Sequence, residues 1–465
     1  MSRPLIGRAV RRLRLERGLA QQALAARLGV SASYLNLIEH DQRAVTAALL
    51  IKLAEILEVD LAALSGSSER QLEAGVREVF ADPAIGAEPV ADAEAAALVT
   101  QTPNAARALL ALYRAWRIAR EDASALALPS GRRVLLPHEE VRDAFHERGN
   151  YFDQLEIAAE AIRAPIGEVA AADYAAAMAR RLARAHGVML RTTSAAGEHR
   201  RFDPSSRTLS LSERLSPASR GFQLAFQLVL LEARATIEAA VEEIAPSSAD
   251  AAALLRLGLL NYAAAAVVMP YAPFARAGRA LRHDIDALAD RFAVSFEQAA
   301  QRLSSLQRPD ARGVPMFFLR VDPAGNVSKR FSAAGFAFAR FGGNCPKWIV
   351  HRAFGAPGGC QVQVAELPDG TRFLTIARAL LGVSSWGEPP PARVIALGCD
   401  ITHAGEMVYA DGIDLAGAAV GIGLSCRLCD RQGCGSRAFP PLENRLALDP
   451  LTKEASPYRF TPRAG

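Results

Sequence analysis

Several things are scarce in these 465 residues, and each scarcity narrows the reading. No run of 18 or more residues is uniformly apolar, which argues against a membrane-spanning protein. The uncharged stretch 257–274 is interrupted by Asn261, Pro270 and Pro273, and its first part reads as a buried helix. The opening Met1-Ser2-Arg3-Pro4-Leu5 has no apolar segment of the kind a secretory signal needs, so a cytoplasmic protein is expected. Lysine is nearly missing, with only Lys52, Lys329, Lys347 and Lys453 among 54 cationic residues. With alanine so abundant, the arginine excess reads as a GC-rich coding bias and is no nucleic-acid signal by itself. Cysteine is absent from the first 344 residues; all six (Cys345, Cys360, Cys399, Cys426, Cys429, Cys434) follow. In a reducing compartment that clustering favours metal or redox chemistry over structural disulfides.

What is present is ordinary for a folded chain. Half the residues are hydrophobic and 22% are charged. At roughly 100–200 residues per domain, the length predicts two to four domains. Charge is uneven. Residues 1–52 carry eight arginines and Lys52 against Glu16, Glu39 and Asp41, a net +6, while the whole chain is +5. The basic character sits at one end, as a phosphate-facing module needs.

Residues 6–64 read as five short helices. Ile6, Val10 and Leu13 mark the apolar stripe of the first, and Gly18 ends it. The second spans Gln21 to Leu28 and turns at Gly29. Ser31 caps a third helix bearing Tyr34, Leu35 and Ile38. Thr46 opens a fourth, and Asp60 caps a last turn through Leu64. Gly18-Leu19-x-Gln21, Leu24-Ala25, Leu28-Gly29-Val30-Ser31 and Ile38-Glu39, at this spacing, resemble the Cro/CI-type (XRE) helix-turn-helix. The third helix is then expected to enter the major groove of double-stranded DNA by its N-terminal half. Ser31, Ala32, Ser33, Tyr34 and Asn36 are its candidate contacts to bases or phosphates; asparagine can pair adenine in a bidentate way. Gln21, at a helix start that favours a phosphate, is implied by the resemblance to touch the DNA backbone and brace a base-reading side chain. Gln22, Arg43, Arg11 and Arg12 are candidate backbone contacts. The resemblance also implies that Glu39 pairs with Arg14 as a structural ion pair. A lone module reads few bases, so a homodimer or higher homo-oligomer is expected.

The remainder divides, on composition, into a helical linker or dimerisation region (67–153), a second domain (154–308) and a small α+β domain (309–465). The first module occupies 1–66, and the chain as a whole reads as multidomain, mainly α with α+β parts. In the linker, Thr102-Pro103 starts a helix whose Leu109, Leu110, Leu112, Tyr113 and Trp116 are either core or a dimer surface. The second domain has a helix at 174–186, β-like runs at 188–193, 199–202 and 208–211, a helix begun by Ser216-Pro217, and a further helix ending at Met269-Pro270. This order resembles the ImmA/IrrE-type zinc peptidase fold. There, His-Glu-x-x-His and a later acidic residue hold zinc. Here Phe226 and Leu230 stand at the histidine positions, Gln227 at the base and Leu259 at the acid. A zincin-like fold without the peptidase is expected. Ser295 and Gln298 fit a capping box.

From Pro315 the texture turns β-rich, with runs at 316–321, 361–367, 373–377 and 394–397 and a turn at Leu367-Pro368-Asp369-Gly370. Cys426-x2-Cys429 followed by Cys434 could place three thiolates on one ion, with Cys345 or Cys399 as a fourth. His351 and His403 are substitutes, and Cys360 looks least involved. Zinc, an iron–sulfur cluster, a thiol switch tuned by Arg427, Arg431 and Arg437, and simple buried cysteines all remain open. Together the three modules resemble the bacterial short-chain fatty acyl transcriptional regulators. The carrying segments are 261–271, 302–322, Cys345-Pro346-Lys347-Trp348-Ile349-Val350-His351-Arg352-Ala353-Phe354, Ala396-Leu397-Gly398-Cys399 and 426–441. The resemblance implies a non-enzymatic, sequence-specific regulator of short-chain acyl or carboxylate metabolism, with an acyl-CoA as effector. Trp348, His351, Arg352 and Trp386 are candidate lining residues. The competing readings are a DNA-binding redox or iron–sulfur sensor and a zinc peptidase.

Overall fold

The computed structural model describes residues 7–461 apart from 41, 44, 58–66, 83–84, 86–89, 126–136, 195–197, 337, 339–344, 385, 442–443, 450 and 457. The chain forms two compact units. One comprises 1–131, 335–345 and 423–465; the other comprises 132–334 and 346–422.

The first unit begins with α1 (Gly7–Glu16), α2 (Gln21–Leu28), α3 (Ala32–Glu39) and α4 (Ala47–Ile56). Val10, Leu13, Leu24, Leu28, Leu35, Ile38, Leu53 and Leu57 close one core. The expected last turn from Asp60 to Leu64 lies outside the described residues. Next come α5 (Ser67–Phe80), α6 (Asp92–Gln101) and α7 (Pro103–Ala125). They bury Val76, Val79, Val99, Leu110 and Tyr113. Gly75 allows the close approach of Leu110, since an added Cβ would lie 2.9 Å from its Cδ1. Of the apolar residues of α7, Leu110 and Tyr113 face this core, while Leu112 and Trp116 point outward.

The second unit starts with α8 (Pro137–Glu147), α9 (Asp153–Arg163) and α10 (Ala171–His186). A three-stranded sheet follows: β1 (Met189–Thr193), β2 (Arg200–Asp203) and β3 (Thr208–Ser212), with β3 in the middle, parallel to β1 and antiparallel to β2. Then come α11 (Pro217–Glu232), α12 (Arg234–Ile244), α13 (Ala249–Val268), α14 (Tyr271–Ala280), α15 (Ile285–Phe292) and α16 (Phe296–Ser304). Side chains set the starts of several. Ser216 and Ser248 accept backbone N–H bonds at α11 and α13, Asp284 does so at α15, and Ser295 and Gln298 complete a capping box at α16.

Helix α13 is long and apolar enough to cross a membrane by length and composition alone, but ten of its residues are buried within this unit. It packs against α8, α9 and α11. At the centre of the unit Glu156 and Arg302 form a bidentate pair at 2.7 and 2.8 Å, each side chain 1% exposed. Tyr262 Oη donates to Glu156 at 2.6 Å and Arg302 Nε to the Met269 carbonyl at 2.9 Å. Burial and the Glu156 charge drive the Tyr262 phenol well above its ordinary pKa.

The same unit carries β4 (Met316–Val321), β5 (Val327–Ser332), α17 (Ile349–Arg352), β6 (Gln361–Glu366), β7 (Arg372–Leu381), β8 (Ala392–Asp400) and β9 (Val420–Gly421). Their sheet has the order β5-β4-β8-β7-β6-β9. At its centre Gly398 admits the Phe317 ring, which an added Cβ would strike. A short pair in the first unit, β10 (Arg445–Leu446) and β11 (Phe460–Thr461), completes the fold.

Candidate nucleic-acid interface

The turn between α2 and α3 is set by glycine. Gly29 sits at φ +74°, a left-handed conformation, and the Gly29 and Val30 amides close onto the Ala26 and Ala25 carbonyls. The chain then reverses into Ser31, whose Oγ accepts the Tyr34 N–H at 3.1 Å. Leu35 and Ile38 take the inner face of α3. Ser31, Ser33 and Asn36 are therefore exposed, and Ala32 and Tyr34 are half-buried. That face is polar and narrow, as a groove-reading helix must be.

Gln21 begins α2, where Ala20 supplies no side-chain cap. Its Nε2 donates to Asn36 Oδ1 at 3.2 Å and to Glu39 Oε2 at 2.9 Å. Asn36 Oδ1 keeps a second lone pair, and its NH2 group keeps its protons, so the amide plane is held ready for a base edge. Arg14 meets Glu39 through Nε and NH2 at 2.6 and 2.9 Å, both side chains being buried. Its third donor reaches the Leu19 carbonyl at 2.9 Å. Arg43 is exposed, and its guanidinium lies 5.9 Å from the Tyr34 ring centroid. Gln22 is exposed beside the open amides of α2, Arg11 is half-buried, and the Arg12 side chain falls outside the described residues. Sequence reasoning missed the Leu19 carbonyl and the His40 imidazole, whose Nδ1 lies 2.8 Å from the Asn36 carbonyl. Neither contact has a spacing signal.

The zincin-like helix α11 presents no ligand set. Phe226 and Leu259 are buried and Leu230 is half-buried. These hydrocarbon side chains have no lone pair for zinc. Gln227 is fully buried, and its Oε1 accepts from Arg200 of β2. The Arg200 guanidinium stands 4.7 Å over the Phe226 ring. Among the described residues Arg200 Nε and Gln227 Nε2 have no hydrogen-bond partner, and burial lowers the Arg200 pKa. A cation thus occupies the neighbourhood of the peptidase motif, and the residues do not fit a zinc site.

Cys345, Cys426, Cys429 and Cys434 belong to the first unit, and Cys399 lies on β8 in the second. Among the described residues no three His, Cys, Asp or Glu side chains are grouped as a metal requires. Arg437 donates to the carbonyls of Cys426, Cys429 and Arg431 at 2.7, 2.8 and 3.0 Å, which binds the segment into one loop. The neighbouring arginines do not activate Cys429. Burial outweighs them and raises its thiol pKa, while Cys399 is pushed up to about 12. Trp348 is a core residue beside Phe317, Trp386 is fully exposed, His351 is half-buried and Arg352 exposed.

A recognition helix held out by a helix-turn-helix, ahead of a peptidase-like domain without its ligands, defines a DNA-binding transcriptional regulator. Residues 10–64 match a helix-turn-helix family, 183–304 the IrrE N-terminal-like domain, and 305–458 the family described as short-chain fatty acyl coenzyme A regulator, C-terminal. The chain is 41% identical over 471 residues to the HTH-type transcriptional regulator RamB of Mycobacterium tuberculosis, covering 98% of this chain and 99% of that protein. It is 43% identical over 460 residues to the propionyl-CoA carboxylase regulator of Cereibacter sphaeroides, covering 98% of each. A solved Mycobacterium tuberculosis transcriptional regulator superposes with a TM-score of 0.67 at 38% identity, over 70% of this chain and 99% of that one. The chain belongs to the short-chain fatty acyl coenzyme A regulator family.

Proposed function

We propose that this regulator controls genes of short-chain acyl metabolism, that an acyl-CoA thioester is its effector, and that it acts in the cytoplasm as a homodimer or higher homo-oligomer. The observation that carries this reading is the near full-length similarity to a protein described as a propionyl-CoA carboxylase regulator. Gln22, Ser31, Ala32, Ser33, Tyr34, Asn36 and Arg43 contact the operator, and Gln21 serves both the backbone and Asn36. Two copies then read half-sites about 34 Å apart. With about seven phosphate contacts per half-site, log K falls against log salt with a slope of at most about −6 per half-site. The effector acts only through unequal affinity for the DNA-competent and incompetent states. The chain has no peptidase activity, because the positions for zinc and base carry Phe226, Gln227, Leu230 and Leu259. A resident zinc or iron–sulfur group at Cys426, Cys429, Cys434 and Cys345 or Cys399 is not needed for this reading.

The test is genomic footprinting followed by operator titration with acetyl-CoA, propionyl-CoA and free CoA. A shift of operator affinity with one thioester and not with free CoA is expected. Identical operator isotherms across the panel would overturn the effector assignment. Retained operator affinity in a folded Ser33→Ala/Tyr34→Ala/Asn36→Ala variant would overturn the DNA-reading assignment.

A further inference from the structure

Of the four lysines in the chain, Lys329 has a distinctive setting. It lies on β5, an edge strand of the six-stranded sheet, directly opposite Arg320 of β4 in the antiparallel ladder. Like charges paired in this way repel one another. Helix α16 lays two polar side chains over the same face. Glu297 accepts from Arg320 at 2.9 Å and from Arg393 of β8 at 2.8 Å. Gln301, one turn further on, accepts from Lys329 Nζ at 3.1 Å. Helix α8 brings His146 against Phe331, two residues along β5.

One carboxylate therefore serves two guanidinium groups, and the Lys329 ammonium is left with a neutral amide among the described residues. The protein packed around the ammonium, and then Arg320, push its pKa below the ordinary lysine value, against the pull of Glu297. The residue as a whole is nevertheless exposed, as is Ser328 beside it, so a reagent in solution has access. An amine that is protonated less of the time is the better nucleophile at neutral pH. Lys52 and Lys453 are also exposed, and Lys347 is half-buried.

We propose that Lys329 is a modification site that takes the acyl group of a short-chain acyl-CoA thioester without the help of an enzyme. The ammonium first yields a proton to solvent. The nitrogen lone pair then attacks the thioester carbonyl and a C–N bond forms. The C–S bond breaks with its electron pair going to sulfur, and the thiolate leaves as the CoA thiol with a second proton from nitrogen. The product amide is neutral, so it no longer repels Arg320, and its N–H still suits the Gln301 oxygen. The choice of donor rests on the acyl-CoA reading above; the choice of nucleophile rests on the charge cluster alone.

The test incubates the full chain with propionyl-CoA at pH 8 and follows each lysine by peptide mass spectrometry. A parallel reaction uses N-acetoxysuccinimide, which acylates any free amine. With both reagents Lys329 is modified faster than Lys52 and Lys453 by on the order of tenfold, the gain in free amine for about one unit of pKa. Gln301→Glu supplies the missing carboxylate and slows Lys329 several-fold, while Lys52 and Lys453 keep their rates and thermal unfolding confirms the fold. A Lys329 rate equal to the other two, or unmoved by Gln301→Glu, overturns the site. Labelling by N-acetoxysuccinimide without any by the thioester overturns it too. If propionyl-CoA shifts operator affinity while Lys329 stays unmodified, the effector reading stands and the modification site falls. If Lys329 is propionylated but no thioester shifts operator affinity, the modification site stands and the effector reading falls.

Discussion

The Gln21 amide lies 3.2 Å from the Asn36 amide oxygen and 2.9 Å from the Glu39 carboxylate, so one side chain on α2 fixes the orientation of an exposed amide on α3. Gln21→Ala should weaken operator binding by about 0.5–1.5 kcal/mol, the net value of a typical hydrogen bond. Asn36→Ala should cost about 1–3 kcal/mol, concentrated at one base pair. If Gln21 acts through Asn36, the two losses combine to less than their sum in a double-mutant cycle. Full additivity in fluorescence-anisotropy titrations would show that they act separately.

Arg14 and Glu39 are both buried, and each satisfies the other in bidentate fashion. Removing one alone leaves an uncompensated charge in the core. Arg14→Met and Glu39→Ala should each destabilise the N-terminal helices by about 3–5 kcal/mol. The double replacement Arg14→Met/Glu39→Leu should recover much of that loss. Thermal unfolding followed by circular dichroism reads both; a double variant as unstable as the sum of the singles contradicts the pairing account.

Gln227 offers the opposite experiment. Its Nε2 is buried without an acceptor among the described residues, while its Oε1 faces Arg200. Gln227→Glu exchanges the orphan donor for a second acceptor and supplies the missing counter-charge. The new carboxyl should titrate below its ordinary range. Its stabilisation is therefore complete above the unfolded-state value and is lost as pH falls through the lowered folded value. A higher thermal midpoint at pH 7 that vanishes by about pH 3 is the expected outcome; a lower midpoint at pH 7 is the contrary one. Added zinc should leave both proteins unchanged.

His283 is 2% exposed, with Nδ1 lying 3.1 Å from the Glu406 carbonyl. Burial, the largest influence, holds its pKa below 6.5. A base with a lowered folded pKa stabilises fully above the unfolded value and loses that contribution as pH drops through the unfolded value toward the folded one. Urea midpoints should therefore decline as the pH is taken below about 6.5, and His283→Gln should flatten the decline. An unchanged pH profile in the variant would remove His283 as a cause.

The thiols should differ in reactivity. Burial raises Cys429 and pushes Cys360 up to about 11 and Cys399 up to about 12, while Cys426 and Cys434 are half-buried. Alkylation at pH 7.5 should reach Cys426 and Cys434 first. Peptide mass spectrometry that finds Cys399 or Cys429 modified as fast would favour a thiol switch.

Local features of this fold were legible in the chain. Ser31, Thr46, Ser216 and Ser295 are short-range caps, and each marks a helix start that the structure shows. The β-like runs from Met316, Gln361, Phe373 and Val394 fall on β4, β6, β7 and β8. Strand β5 escaped notice because Val327-Ser328-Lys329-Arg330 is mostly polar, and pairing with β4 holds it in place. The Glu156–Arg302 pair spans 146 residues, which no periodicity can express. Arg163, Arg276 and Arg291 were likewise invisible among fifty arginines, until α9, α14 and α15 brought them to one hollow.

Helix α13 carries a further consequence, for synthesis. Its greasy surface would be hazardous on a nascent chain, where such a segment invites aggregation or capture by a bilayer. Its main neighbours α8, α9 and α11 all precede it in the chain. When α13 leaves the ribosome, its shelter has already been made, so translation order itself works as a safeguard.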